Sequence, residues 1–116
     1  MVKLICFLKR KPGMSPEEFH RYWRERHGPL VASTLCGQHV LRYEQNHRSP
    51  ADYQRDPDGY DGVTVQWYSS VESFYKSIRE PDYARIDADM RNFLDVDRLL
   101  FMLCEEPDVV IDRIGE

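Results

Sequence analysis

The chain has 116 residues, enough for one hydrophobic core and too few for two domains. Sixteen basic residues against 20 acidic ones give a formal net charge of −4, which excludes the basic excess of a nucleic-acid-binding module. Hydrophobic residues make up 41% and charged residues 31%, the balance of an ordinary soluble domain, and no apolar run approaches the ~20 residues of a membrane span.

Val2 to Lys9, mostly apolar with β-branched residues, predicts a central strand and not a signal peptide, because no cleavage-site pattern follows it. Lys11-Pro12-Gly13 is a turn. From Ser15 onward the chain reads Ser-Pro-Glu-Glu-Phe-His-Arg-Tyr-Trp-Arg-Glu-Arg-His-Gly-Pro-Leu. Ser15 and Glu18 form a capping box with Pro16 at the first helical position. Phe19, Tyr22, Trp23, Arg26 and Leu30 fall in one stripe at helical spacing, with His20 and His27 on its border. Gly28-Pro29 predicts a bend or break, since the residue before a proline avoids the α region. The helix is expected to run on toward Leu35 and to end at Gly37.

Gln38 to His47 predicts a strand with His39, Leu41, Tyr43, Gln45 and His47 on one face. Both faces are partly polar, as suits a cavity lining or a subunit contact. Arg48 to Gly62, with prolines, glycines and aspartates and no periodicity, reads as a long loop, either a lid or binding loop or a solvated excursion. Val63 to Tyr68 is the clearest strand, with Val63, Val65 and Trp67 on one face and Thr64, Gln66 and Tyr68 on the other. Ser69 and Glu72 suggest a second capping box before a short helix. Pro81 opens a further helix carrying Tyr83, Ile86, Met90 and Phe93 at helical spacing. Arg98 to Glu105 is the last strand, and Val109-Val110-Ile111 is an apolar extended tail.

The order βα, ββ, αβ with short connections predicts an α+β fold: a ferredoxin-like split βαβ in a single domain over 1–116, with a four-stranded antiparallel sheet and helices on one face. The uncovered face needs a second copy to bury it, so a homodimer is expected, with the tail pairing to an edge strand of the partner. Cys6, Cys36 and Cys104 are scattered and form no C-x-x-C pair. They indicate neither zinc nor a disulfide framework and fit a cytoplasmic location.

Phe19-x-x-Tyr22-Trp23-x-x-x-His27-Gly28-Pro29-Leu30, then Tyr43, then Asp61-Gly62 before a strand holding Trp67, resembles EthD-type proteins of the dimeric α/β barrel superfamily along nearly the whole chain. The resemblance implies one sheet per subunit, two sheets packed as a barrel with the helices outside, and a cleft between helices and sheet. EthD proteins are associated with bacterial degradation of ether fuel additives, and related domains occur in aromatic polyketide pathways. The superfamily also holds muconolactone isomerases, cofactor-free monooxygenases and haem-binding enzymes. In its methylmuconolactone isomerase branch a helix histidine and a strand tyrosine line the pocket, at positions matching His27 and Tyr43. A reactive cysteine of that branch falls at Gln66, which cannot form a thiolate.

His27 is the candidate acid–base group; the competing reading is a helix-end histidine bonded to backbone carbonyls. Tyr43 is the candidate partner for a ligand oxygen, against a buried ring with a satisfied hydroxyl. Tyr22, Trp23, Gln66 and Trp67 are candidate ligand-binding residues, as pocket wall or polar lining. The expected pocket lies between the first helix and the sheet, with the 48–62 loop at its mouth. The four histidines do not have metal-ligand spacing, and no glycine-rich phosphate loop or nucleophile elbow is present, so no metal and no cofactor is expected. Partners are expected to be a second copy and a small apolar or aromatic ligand, with no nucleic acid and no membrane.

Two functions fit these residues. One is a small cofactor-free enzyme of a catabolic or aromatic polyketide pathway, acting as an isomerase, cyclase, dehydratase or monooxygenase with His27 as acid or base. The other is a non-catalytic small-molecule-binding or accessory protein of an oxidative degradation pathway. A purely structural dimer is a third possibility.

Overall fold

The computed structural model describes residues 1–115. Four strands, β1 (Val2–Leu8), β2 (Arg42–His47), β3 (Gly62–Tyr68) and β4 (Leu100–Cys104), form one antiparallel sheet in the order β2-β3-β1-β4. This is the split βαβ arrangement expected from the element order. β1 is central because its alternating Leu4, Cys6 and Leu8 face the helices while Lys3, Ile5 and Phe7 face the other way.

The first helical segment starts as the capping box dictates: Ser15 Oγ accepts from the Glu18 amide, and Glu18 Oε1 accepts from the Ser15 amide. Gly28-Pro29 does not break the helix. α1 (Pro16–Tyr22) passes into a π-helical turn (Trp23–His27) and on into α2 (Gly28–Ser33). In the wide turn the Gly28 amide donates to the Trp23 carbonyl. A proline has no amide hydrogen, and in a regular α-helix its ring would press on the carbonyl four residues back. Widening the turn before Pro29 relieves both conflicts.

The wide turn also changes which residues are buried. A four-residue spacing drifts by about 40° per step in an ideal α-helix, but the π turn absorbs that drift. Phe19, Trp23, His27 and Val31 all point inward, while Arg26, expected in the stripe, is exposed. His27 therefore sits in the buried stripe and not on its border.

The helix ends at Ser33, earlier than expected. Thr34 leaves the helical region, with ψ 158°, and caps the short α3 (Leu35–Gln38) by accepting from the Gly37 amide. Asp82 secures the start of α3, accepting from the Leu35 and Cys36 amides. The strand expected from Gln38 begins only at Arg42, and the last strand is shorter than 98–105 because Val96–Arg98 forms a 3-10 turn.

Within the 48–62 loop lies a short helix, α4 (Asp52–Arg55). Arg48 holds this loop, donating to the Asp52 side chain and to the Asp52 and Asp56 carbonyls. α5 (Val71–Ile78) is capped by Ser70 and not by Ser69; Ser70 Oγ accepts from the Ser73 amide. α6 (Tyr83–Phe93) buries Ile86 and Phe93 as its spacing predicts. Residues 109–111 form no strand and are exposed. No described helix is long and apolar enough to cross a membrane.

The buried apolar residues fall into three clusters: Leu8, Phe19, Trp23, Phe93 and Leu94; Leu4, Tyr68 and Phe74; Val31, Cys36 and Ile86. All of them except Phe19 border one central cavity, which explains why the core is divided.

Candidate active site

The cavity has a volume of about 220 Å³ and lies between the sheet and the helices. Its floor is the helix-facing side of β1, β2 and β3, including Cys6, Tyr43, Thr64 and Gln66. Its roof is formed by the π turn, α5 and α6, including Trp23, His27, Phe74, Ile86 and Phe93. Four expected site residues therefore meet in one cavity: His27, Tyr43, Trp23 and Gln66.

Two do not line it. Tyr22 lies behind the cavity wall, stacked on Phe93, and donates to Asp89 Oδ1 at 2.5 Å. Trp67 is on the other side of the sheet, beneath the Arg42 guanidinium at 5.6 Å. No residue of the 48–61 loop lines the cavity, so this loop is not its mouth.

His27 is 6% exposed. Its Nδ1 lies 2.8 Å from Asp89 Oδ2, and its ring packs 4.8 Å from the Phe93 centroid. Burial lowers the His27 pKa; the Asp89 hydrogen bond and charge pull it upward without cancelling that effect. The ring is neutral at pH 7 and its proton sits on Nδ1, where the carboxylate accepts it. Nε2 then carries the lone pair and has no hydrogen-bond partner among the described residues. Asp89 is also desolvated, but the Tyr22, His27 and Asn92 hydrogen bonds together hold its pKa below the ordinary carboxylate value.

Tyr43 is oriented just as closely. Its oxygen accepts from Trp23 Nε1 at 3.0 Å and from Gln45 Nε2 at 3.4 Å. With both donors on the oxygen, the phenol's own hydrogen has no acceptor among the described residues. Burial raises the Tyr43 pKa, and the two donated hydrogen bonds offset only part of that rise. At neutral pH the group is a protonated donor.

Gln45 is fixed in turn. Its Nε2 also donates to the Trp23 carbonyl at 2.9 Å, in the bulge of the π turn. That leaves Oε1 to accept from His47 Nε2 at 2.9 Å. His47 Nδ1 lies 2.6 Å from His20 Nδ1, and the Tyr53 hydroxyl lies 3.0 Å from His20 Nε2 while donating to the fully buried Asp61. Asp61 also receives the Arg10 amide and guanidinium. Two glycines, Gly28 at the start of α2 and Gly62 at the start of β3, give room for this arrangement. A Cβ on Gly28 would meet Gln45 Nε2 at 2.8 Å, and one on Gly62 would strike the Trp23 indole.

Asp89, Gln45 and Thr64 belong to the site and escaped the sequence reading. Asp89 had a signal: it lies three residues after Ile86 and next to Met90, at the edge of the α6 stripe.

Residues 11–97 match the family model described as the EthD domain. The chain belongs to this family. This EthD chain is also similar in structure to an ethyl tert-butyl ether D (EthD) family protein from Bacillus halodurans, with 20% identity, TM-score 0.67, and 92% of this chain and 99% of that one covered. It is similar to SnoaB, a cofactor-independent oxygenase from Streptomyces nogalater, with 14% identity, TM-score 0.64, and 96% and 97% covered. It is likewise similar to a hydroxynitrile lyase from Passiflora edulis, with 14% identity, TM-score 0.66, and 93% and 94% covered. At these identities the likeness is one of fold. No curated protein matches this EthD chain significantly in sequence.

Proposed function

We propose that this EthD chain is a cofactor-free enzyme that moves a proton on a small apolar or aromatic molecule. The observation that carries the reading is the His27–Asp89 pair: a buried neutral imidazole, held at Nδ1, with no partner on Nε2 among the described residues, at the wall of a largely apolar cavity that the Tyr43 donor also lines.

In the proposed step, His27 Nε2 takes a proton from a C–H beside a carbonyl, or from a hydroxyl. The bonding electron pair moves onto the ligand, and the negative charge grows on its oxygen. Tyr43 donates its hydrogen to that oxygen. The imidazolium formed is stabilised by Asp89 through Nδ1–H, and the proton returns to the ligand at the same or another atom. That SnoaB and the hydroxynitrile lyase use this fold for small-molecule chemistry supports the class of reaction and leaves the substrate open.

We further propose that the chain acts as a homodimer. Ile5, Phe7, Val63, Val65 and Trp67 share the sheet face away from the helices, and Phe7, Leu100 and Met102 are exposed there. The three free thiols support a reducing, cytoplasmic setting.

The test is proton exchange or conversion, followed by NMR in deuterated water, across a set of uncharged one- and two-ring ketones and hydroxyarenes. The wild-type protein is expected to convert or exchange at least one, and His27→Gln is expected to lower that rate by roughly 10²–10⁴-fold with the fold intact. An equal rate in a folded His27→Gln protein removes His27 from the chemistry. Binding with no exchange in the wild type favours the accessory-protein reading.

A further inference from the structure

Among the described residues, one buried side-chain polar atom has no hydrogen-bond partner: Thr64 Oγ1. Thr64 is 4% exposed and lines the cavity floor. The residue opposite it on β1 is Cys6, whose thiol approaches the Thr64 hydroxyl, but sulfur is a weak hydrogen-bond partner and does not complete a hydrogen bond to Oγ1. A buried hydroxyl without a partner is costly, and it persists where something outside the fold satisfies it.

The rest of the floor has the same character. Gln66 lies directly opposite Tyr43 on the β2–β3 rung, on the same face as Thr64. The Gln66 oxygen accepts from the Tyr68 hydroxyl at 3.2 Å, leaving its amide hydrogens for the cavity. Tyr43, Gln66 and Thr64 thus offer three hydrogen-bond donors from the floor, and His27 offers one acceptor from the roof. Among the described residues no arginine, lysine, aspartate or glutamate lines the cavity, and the Asp89 carboxylate lies behind His27. An anionic ligand would be desolvated there without a counter-charge.

We infer that Thr64 is a ligand-contact residue and that the cavity selects uncharged ring compounds bearing two oxygens, such as hydroxy ketones, over carboxylates of the same skeleton. One oxygen sits on Tyr43 and Gln66, the second on Thr64. This deepens the proposed function and rests on Tyr43 being the cavity's donor. Its readouts are affinity and melting temperature, which do not depend on turnover, so its failure and that of the acid–base reading are told apart.

The experiment measures binding of 3′-hydroxyacetophenone, acetophenone and 3-hydroxybenzoate by calorimetry at pH 7, with melting curves of the free proteins. The wild type is expected to bind 3′-hydroxyacetophenone tightest and 3-hydroxybenzoate at least tenfold more weakly. Thr64→Val keeps the volume and removes the hydroxyl. It is expected to weaken 3′-hydroxyacetophenone about 3- to 10-fold, to leave acetophenone nearly unchanged, and to hold or raise the melting temperature. Thr64→Ser restores the hydroxyl and is expected to restore the affinity. A lower melting temperature with unchanged affinity in Thr64→Val would show a structural hydroxyl and overturn the inference. So would tight binding of 3-hydroxybenzoate, or no binding of either ketone.

Discussion

His27 is held between two opposing influences, burial that favours the neutral ring and a carboxylate that favours the charged one. A base used near pH 7 needs this balance: neutral before the reaction and able to accept charge during it. Asp89→Asn removes the upward pull, so the His27 pKa is expected to fall further in an NMR titration, and any turnover to drop by ~10- to 100-fold. A rise in that pKa would contradict the assignment of Asp89.

That His27 and Tyr43 line the cavity was anticipated from the helix motif beside Gly-Pro and from the family resemblance that matches both positions. Asp89 and Gln45 were not, because their roles come from partners 62 and 22 residues away. Trp67 shows the limit of residue type alone: the alternation placed it on the opposite face from Gln66, and only the layer of helices decides which face holds the cavity.

At the scale of elements, the π turn joins helix and site. It aligns Trp23, His27 and Val31 and presents the Trp23 carbonyl to Gln45. The proline announced an irregularity, and the widened turn it takes places Trp23 against Gly62, a contact that no local pattern reveals.

The His20–His47 contact ties α1 to β2. Burial first, then Arg24 and His20, push the His47 pKa down to about 4. Burial lowers His20 as well, against the pull of Asp61 and Glu17 and with Arg24 and Arg10 adding to the fall. Folded-state values below the ordinary histidine value mean that the unfolded chain binds protons first as pH drops. Stability is therefore fully present above about pH 6.5 and falls as pH approaches 4. Urea unfolding at pH 7 and pH 5 is expected to show a lower midpoint at pH 5, and His47→Gln to shrink that difference. An equal difference in the variant would remove His47 from the acid sensitivity.

At the scale of the molecule, a cavity in the middle of a small core costs stability, which supports the proposed ligand-binding role. The order β2-β3-β1-β4 and the bare sheet face followed from element order and strand alternation, and both were legible. Val109, Val110 and Ile111 were legible as an apolar tail, and they stay exposed in the single chain. Val65→Asp on the bare face is expected to convert a dimer to a monomer in light scattering at micromolar concentration. Removal of residues 109–114 is expected to weaken the dimer without unfolding the subunit. A wild-type monomer under those conditions would contradict both.

The proposed chemistry depends most on the state of one ring in one cavity. Nitrogen-15 NMR of the labelled wild-type protein at pH 7 reads it directly. The expected result is a neutral His27 with the proton on Nδ1, an apparent pKa below 6.5, and an Nε2 resonance that shifts when 3′-hydroxyacetophenone is added. A protonated ring at pH 7, or a proton fixed on Nε2, would contradict the claim that His27 presents a free base to the cavity.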